Sequence, residues 1–284
     1  MKKKKPMKKR NKVILWILLI LLLGVFGYSG WKLYTMNQVY EEAEDDYAAV
    51  QEYARKDGTK TVIVDSDSPE RTETTGEGGE TESTAPPISY EIPDFTIDHD
   101  ALLEINSHYL GWLYVDGTNI DYPTVSTTDN NYYLKVTFSQ HFSIAGAVFM
   151  DARVPNELES RHIAFHAHRM NDDSMFGTLH YYEEEEFFKE HPVFWFFPKD
   201  GGVWVCEVFS AYVDTNKSEA YTYSFGSEEE FLSFAQELKS RSLYETGVYP
   251  EEGDQIITLS TCLRDNTYRF IVHARVIALD WPAE

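Results

Sequence analysis

The segment Ile256-Ile257-Thr258-Leu259-Ser260-Thr261-Cys262 ends an apolar run on a thiol, and Tyr268-Arg269-Phe270-Ile271-Val272 starts the next one with a guanidinium. A polar stretch, Leu263 to Thr267, separates them. If the two runs pair as antiparallel strands, Cys262 and Arg269 face each other at the mouth of a hairpin. A thiol beside a fixed cation has its thiolate stabilised, which is the condition for nucleophilic chemistry. The same pattern also fits a small core cysteine and a surface arginine. Histidine is the natural proton partner. His162, His166 and His168 alternate along Arg161-His162-Ile163-Ala164-Phe165-His166-Ala167-His168-Arg169-Met170 and share one strand face. His168 stands where the strand gives way to polar Asn171-Asp172-Asp173, so its ring can reach solvent and a substrate. Each histidine also has a structural or surface reading. His166 and His168 at i, i+2 suggest zinc, but no HExxH, CxxC or spaced third ligand accompanies them, so no metal and no cofactor are expected. Cys206 lies mid-run in Val203-Trp204-Val205-Cys206-Glu207-Val208-Phe209 and reads as a buried structural thiol. Two cysteines do not make a disulfide framework, although a 206 to 262 bridge would remove the nucleophile.

The elements that must position these residues read mostly as short strands: 112–115 and 120–125 joined across Asp116-Gly117, then 144–150, 162–168, 193–197, 203–213, 255–260 and 268–279. A short helix is predicted over 98–107, capped by an aspartate, with further helical interruptions at 174–190 and 227–241. In the last, Ser227 and Glu230 have capping-box spacing, and Phe231, Phe234, Ala235 and Leu238 form one apolar face to cover a sheet. The fold class expected is mainly β: a closed or nearly closed antiparallel barrel of about eight strands with appended helices, since closure removes exposed edges.

Charge is spread unevenly over the 284 residues. The first 12 carry eight Lys/Arg and no acid, which leaves 17 basic residues against all 47 acidic ones in the remainder. Nucleic acid is therefore an unsuitable partner. An uncharged apolar run from Val13 follows the basic segment, close to the ~20 residues that cross a bilayer. The organisation expected is a cytoplasmic basic segment at 1–12, an uncleaved single-pass membrane anchor at 13–34 and a stalk and disordered linker at 35–92. A catalytic domain at 93–284 lies outside the cell in this reading.

Together these segments resemble the sortase family, class B. Thr258-Leu259-Ser260-Thr261-Cys262 is similar to the family's TLSTC strand end, and Arg269 stands where its arginine opens the next strand. Phe165 to Met170 with Asp173-Ser174-Met175-Phe176-Gly177 resembles its YGHNM and DGSMF stretch, which selects His168. Gly111-Trp112, Ile120-Asp121-Tyr122-Pro123 and Asp129-Asn130-Asn131-Tyr132-Tyr133-Leu134 resemble class B text, as does a long helix before the cysteine strand. His166, Ala167 and Arg169 depart from the family's tyrosine, glycine and asparagine. Leu263 and Arg264 follow the cysteine where an acid is common, so a supporting carboxylate there falls to Asp265.

The resemblance implies transpeptidation at a Gram-positive cell surface. The Cys262 thiolate attacks a C-terminal sorting signal of a surface protein or pilin and forms a thioester. An amine of a peptidoglycan precursor, or a pilin lysine, then resolves it. His168 shuttles the proton and Arg269 stabilises the oxyanion. Asn130, Leu134, Ser260 and Thr261 are implied in substrate binding, with Thr261 or nearby peptide groups completing the oxyanion site. Unperturbed thiolate and imidazolium coexist at pH 7 in under about 1% of molecules, which predicts a turnover below roughly 10² per second. A surface cysteine peptidase that passes the acyl group to water, and a non-catalytic scaffold domain, are the alternatives.

Overall fold

The structure is a computed structural model that describes residues 9–64, 88–262 and 267–279. It divides into two compact units, Met1–Asp45 and Asp46–Glu284. Residues 9–45 of helix α1 (Lys9–Gln51) form the described part of the first unit, and its side chains from Val13 to Tyr34 are exposed and almost wholly apolar. At 1.5 Å per residue these 22 residues reach about 33 Å, enough to cross a membrane's hydrocarbon core.

In the second unit the chain runs β1 (Ala54–Val64), β2 (Ile88–Ile97), α2 (His99–Ile105), β3 (Tyr109–Tyr114), β4 (Asp121–Val125), β5 (Val148–Met150) and β6 (His162–Ala167). It continues with α3 (Glu185–Glu190), β7 (Val193–Pro198), β8 (Val203–Thr215), α4 (Glu228–Ser240), β9 (Gln255–Cys262) and β10 (Tyr268–Leu279). Eight strands close a barrel in the order β10-β8-β7-β3-β4-β5-β6-β9. The expected all-antiparallel pairing is corrected at two places: β4 pairs β5 in parallel, and so does β6 with β9. In both cases a long excursion carries the chain back to the same end before the next strand, which a parallel pair requires.

Two sequence signals worked through local chemistry. Asp98 caps α2 by accepting from the Ala101 N–H at 3.0 Å, and Ser227 caps α4 by accepting from the Glu230 N–H at 3.2 Å. Gly117 takes the left-handed φ of 72° that the 116–117 turn needs. The spacer expected over 35–92 differs at its ends. Helix α1 continues to Gln51, and β1 pairs antiparallel with β2, Val62 opposite Tyr90 and Val64 opposite Ile88. The β-branched run Thr61-Val62-Ile63-Val64 favours that extended pairing. The compact unit thus begins at Asp46 rather than Pro93, and residues 65–87 lie outside the described residues.

Helix α4 covers the outer side of β8, β9 and β10. Phe231, Ala235 and Leu238 pack on Phe209, Tyr212, Ile256 and Ile271. Phe231 is fully enclosed, with the Arg161 guanidinium 4.1 Å from its ring centre. Phe231→Ala is expected to lower unfolding free energy by about 3–5 kcal/mol, read in a thermal or urea transition of the full chain. A loss below about 1 kcal/mol would show that the helix contributes little to holding this face.

Candidate active site

Strand β6 ends at Ala167 and β9 at Cys262, and β10 begins at Tyr268, so three strand ends meet at one rim of the barrel. In the parallel pair Ala167 is level with Thr261, which makes His168 the residue level with Cys262. On the other side of β9, Arg269 is the antiparallel partner of Cys262. Neighbouring strands lie about 4.8 Å apart, so the three α-carbons fall within about 10 Å of one another. Cys262 is described by its backbone alone. Asp265 lies outside the described residues.

His168 is held at both its main chain and its ring. Its carbonyl accepts from the Phe176 N–H at 3.0 Å, and its Nε2 donates to the Leu134 carbonyl at 2.8 Å. The loop that follows contains two non-glycine residues with left-handed backbone, Asp173 at φ 64° and Met175 at φ 54°. Such backbone costs energy and persists only where the surroundings impose it. Here the Met175 N–H donates to the Tyr122 hydroxyl at 3.0 Å. Arg269 is half-buried and donates from Nη1 to the Tyr268 carbonyl at 3.0 Å.

The residues implied in substrate binding are placed as follows. Thr261 is buried and its hydroxyl donates to the Ala167 carbonyl at 2.9 Å, which locks β9 to β6 beside His168 and Cys262. Ser260 is buried, with its hydroxyl 2.7 Å from that of Tyr221. Asn130 closes a two-bond clasp: its Oδ1 accepts from the Ala152 N–H at 2.7 Å and its Nδ2 donates to Asp151 Oδ1 at 3.0 Å. Leu134 is half-buried and meets His168 through its carbonyl.

Asp151, which the sequence reading passed over, is the most heavily bonded side chain near the rim. It is buried, and Oδ1 accepts from Asn130 Nδ2, the Arg153 N–H and Arg153 Nε, while Oδ2 accepts from Arg153 Nη2, His166 Nε2 and the Tyr223 hydroxyl. Burial opposes its charge, yet the bonds from Arg153, His166 and Asn130 outweigh that and hold the carboxyl well below the usual carboxylate range. His166 is thereby tied to this carboxylate at 3.0 Å, while His168 turns to the Leu134 carbonyl. Arg153 also lies over the rings of Tyr221 and Tyr223, 5.6 and 5.4 Å from their centres. The local signal for this hub was an acid and a base at i, i+2 directly after the apolar triplet Val148-Phe149-Met150.

The third histidine belongs to a different system. His162 Nδ1 donates to the Thr222 carbonyl at 2.7 Å, and its Nε2 lies 2.7 Å from the Thr258 hydroxyl. That hydroxyl lies 2.7 Å from His273 Nδ1, whose Nε2 is 3.1 Å from the Tyr212 hydroxyl. Both imidazoles are fully enclosed, and burial depresses both, His162 to about 4.

Cys206 is free and buried, and burial pushes its thiol up. It sits opposite Val276 on β10 whereas Cys262 sits opposite Arg269, seven residues along the same strand. That separation is about 23 Å, far beyond the ~7 Å limit between bridged α-carbons. Among the described residues there is no group of three or more His, Cys, Asp or Glu arranged to hold a metal ion.

Residues 113–277 match the family model described as a sortase domain. The chain is similar to Sortase B of Listeria monocytogenes, 29% identical over 265 residues that cover 92% of this chain and 95% of that one. Among solved structures it resembles a Bacillus anthracis protein described as similar to sortase B, at 38% identity and TM-score 0.58, over 63% of this chain and 82% of that one. It also resembles a Staphylococcus aureus sortase B in complex with substrate, at 30% identity and TM-score 0.60, over 63% and 84%.

Proposed function

The chain belongs to the sortase family, in its class B, and is a cysteine transpeptidase; from that premise we propose that Cys262, His168 and Arg269 carry its chemistry on a surface protein or pilin with a C-terminal sorting motif. Support comes above all from the backbone register, Ala167 with Thr261 and Cys262 with Arg269, which puts an imidazole, a thiol-bearing residue and a guanidinium at one end of three adjacent strands.

In this reading the Cys262 sulfur, as thiolate, adds to the carbonyl carbon of the scissile peptide bond. Arg269 donates charge-assisted hydrogen bonds to the oxygen as it gains charge. The tetrahedral intermediate collapses as the C–N bond breaks, and His168 gives its proton to the departing amine. The acyl group is then a thioester. An amine from a peptidoglycan precursor or a pilin lysine adds to that carbonyl, His168 accepts its proton, and the C–S bond breaks to return the thiolate.

The eight basic residues before Val13 favour a cytoplasmic N-terminus, and the 13–34 segment serves as the membrane anchor with the catalytic domain outside. That the S. aureus sortase B has been seen in complex with a substrate supports a substrate site on this fold.

The test uses the full chain in detergent micelles with a library of pentapeptides, and intact mass as the readout. An adduct equal to the amino-terminal part of one peptide is expected, and added oligoglycine should draw it into a glycine-extended product. Release to water at the same rate with or without oligoglycine would replace transpeptidation by the peptidase reading.

A further inference from the structure

Leu134 was drawn into the site by its side chain's place in the sequence, but its carbonyl is the group that meets the histidine. That oxygen lies 2.8 Å from His168 Nε2. A carbonyl has no proton to give, so Nε2 must carry one, and in a neutral imidazole this leaves Nδ1 bare.

The carbonyl is fixed from several directions. Tyr133 O, one residue before it, accepts from the Ala147 N–H at 2.9 Å, and Lys135 O, one residue after it, accepts from the Ser143 N–H at 2.9 Å. Within the turn, the Lys135 N–H donates to Tyr132 O at 3.2 Å. Gly146 makes the crossing possible, because a Cβ there would collide with Tyr133 O. Four residues upstream of Leu134, Asn130 ties the start of the turn to the end of β5 through both ends of its amide. Its anchor is firm, since Asp151 holds five further hydrogen bonds from Arg153, His166 and Tyr223.

We infer that the Leu134 carbonyl sets the tautomer of His168, with the proton on Nε2 and Nδ1 as the atom that exchanges protons with the reacting groups, and that Asn130 is the positioning residue that holds this carbonyl in place. The inference rests on the reading of His168 as the acid and base of the reaction. It gives Asn130 a role through the main chain of the turn rather than through contact with the substrate. A histidine held in the wrong tautomer loses about 10⁴ in rate in a serine hydrolase triad. A turn freed at one end misplaces only part of the population, so Asn130→Ala should slow acylation at saturating peptide by about 10- to 100-fold with KM nearly unchanged.

The full chain labelled with ¹⁵N-histidine, with the His168 signals identified by their loss in His168→Gln, reports the tautomer through its ring nitrogen shifts. The expected wild-type spectrum has a protonated Nε2 and an unprotonated Nδ1, and Asn130→Ala should draw the two nitrogens toward a common average. Asn130→Asp keeps the acceptor for the Ala152 N–H but sets a second carboxylate against Asp151, so it should act in the same direction if the alanine variant fails to fold. A proton on Nδ1 in the wild type would overturn the inference. So would variants that raise KM while leaving both tautomer and saturated rate unchanged, the pattern of a substrate contact. Full acylation by His168→Gln would instead remove the underlying reading of His168.

Discussion

Cys262→Ala forms no acyl-enzyme with any peptide and lowers transfer by roughly 10⁴ to 10⁶, the scale on which a covalent hydrolase loses its nucleophile. Arg269→Ala behaves differently. It retains the thiol and the peptide, and acylation falls by about 10²- to 10³-fold, the loss typical of one oxyanion donor. Lysine at position 269 should recover little of that, because a point ammonium does not reproduce the fixed fork of a guanidinium. Intact mass after a timed mixing with peptide separates the variants, the first giving no adduct and the second a slow one. Transfer by Cys262→Ala within tenfold of the unaltered enzyme would remove the cysteine from the mechanism, and with it the assignment of the rim.

The second large effect is on stability, between pH 7 and pH 4. Four buried groups hand hydrogen bonds along one line in a fixed direction. The Tyr212 hydroxyl gives to His273 Nε2, His273 Nδ1–H to Thr258, the Thr258 hydroxyl to His162 Nε2 and His162 Nδ1–H to Thr222 O. That sequence of donors and acceptors needs both rings neutral. Burial depresses His162 to about 4 and pushes His273 down as well. The Thr222 carbonyl and Asp151 favour charge on the first ring, while His162 and Arg241 oppose it on the second.

The unfolded chain therefore takes up protons before the folded one does. Stability is complete above the unfolded value of about 6.5 and falls as pH drops toward 4, with His162 alone contributing about 3 kcal/mol. Asp151 and Glu228, both held low, add their loss only below about pH 4, so the upper window belongs to the histidines. Thermal transitions of the full chain at pH 7 and 4.5 should differ by several degrees, and His162→Gln should flatten the difference. Equal transitions at the two pH values would contradict the neutral relay.

Much of the barrel was legible because its strands carry their own local signals. Alternation and turn residues located β3 to β10 to within a few residues, and the Ser227 and Asp98 caps were visible as letters. The parallel partnership of β6 and β9 was not, since nothing in either strand records which distant run it meets. Strand β1 was hidden by its position next to a polar, glycine-rich stretch. At the site, the ordered motifs singled out Cys262, His168 and Arg269. Asp151 stayed invisible for a physical reason: its importance comes from donors at 130, 153, 166 and 223, which only the folded chain brings to one carboxylate.

The Thr261 hydroxyl reaches Ala167 across 94 residues of chain. Long-range pairings of this kind form slowly, because the intervening segment must be ordered before the contact repays it. The strands that carry Cys262 and Arg269 are also the last two of the barrel to leave the ribosome. An emerging chain therefore holds Cys262 on a strand that lacks its β10 neighbour until synthesis is almost complete. The three positions at the rim thus come together only at the end of the chain's own assembly.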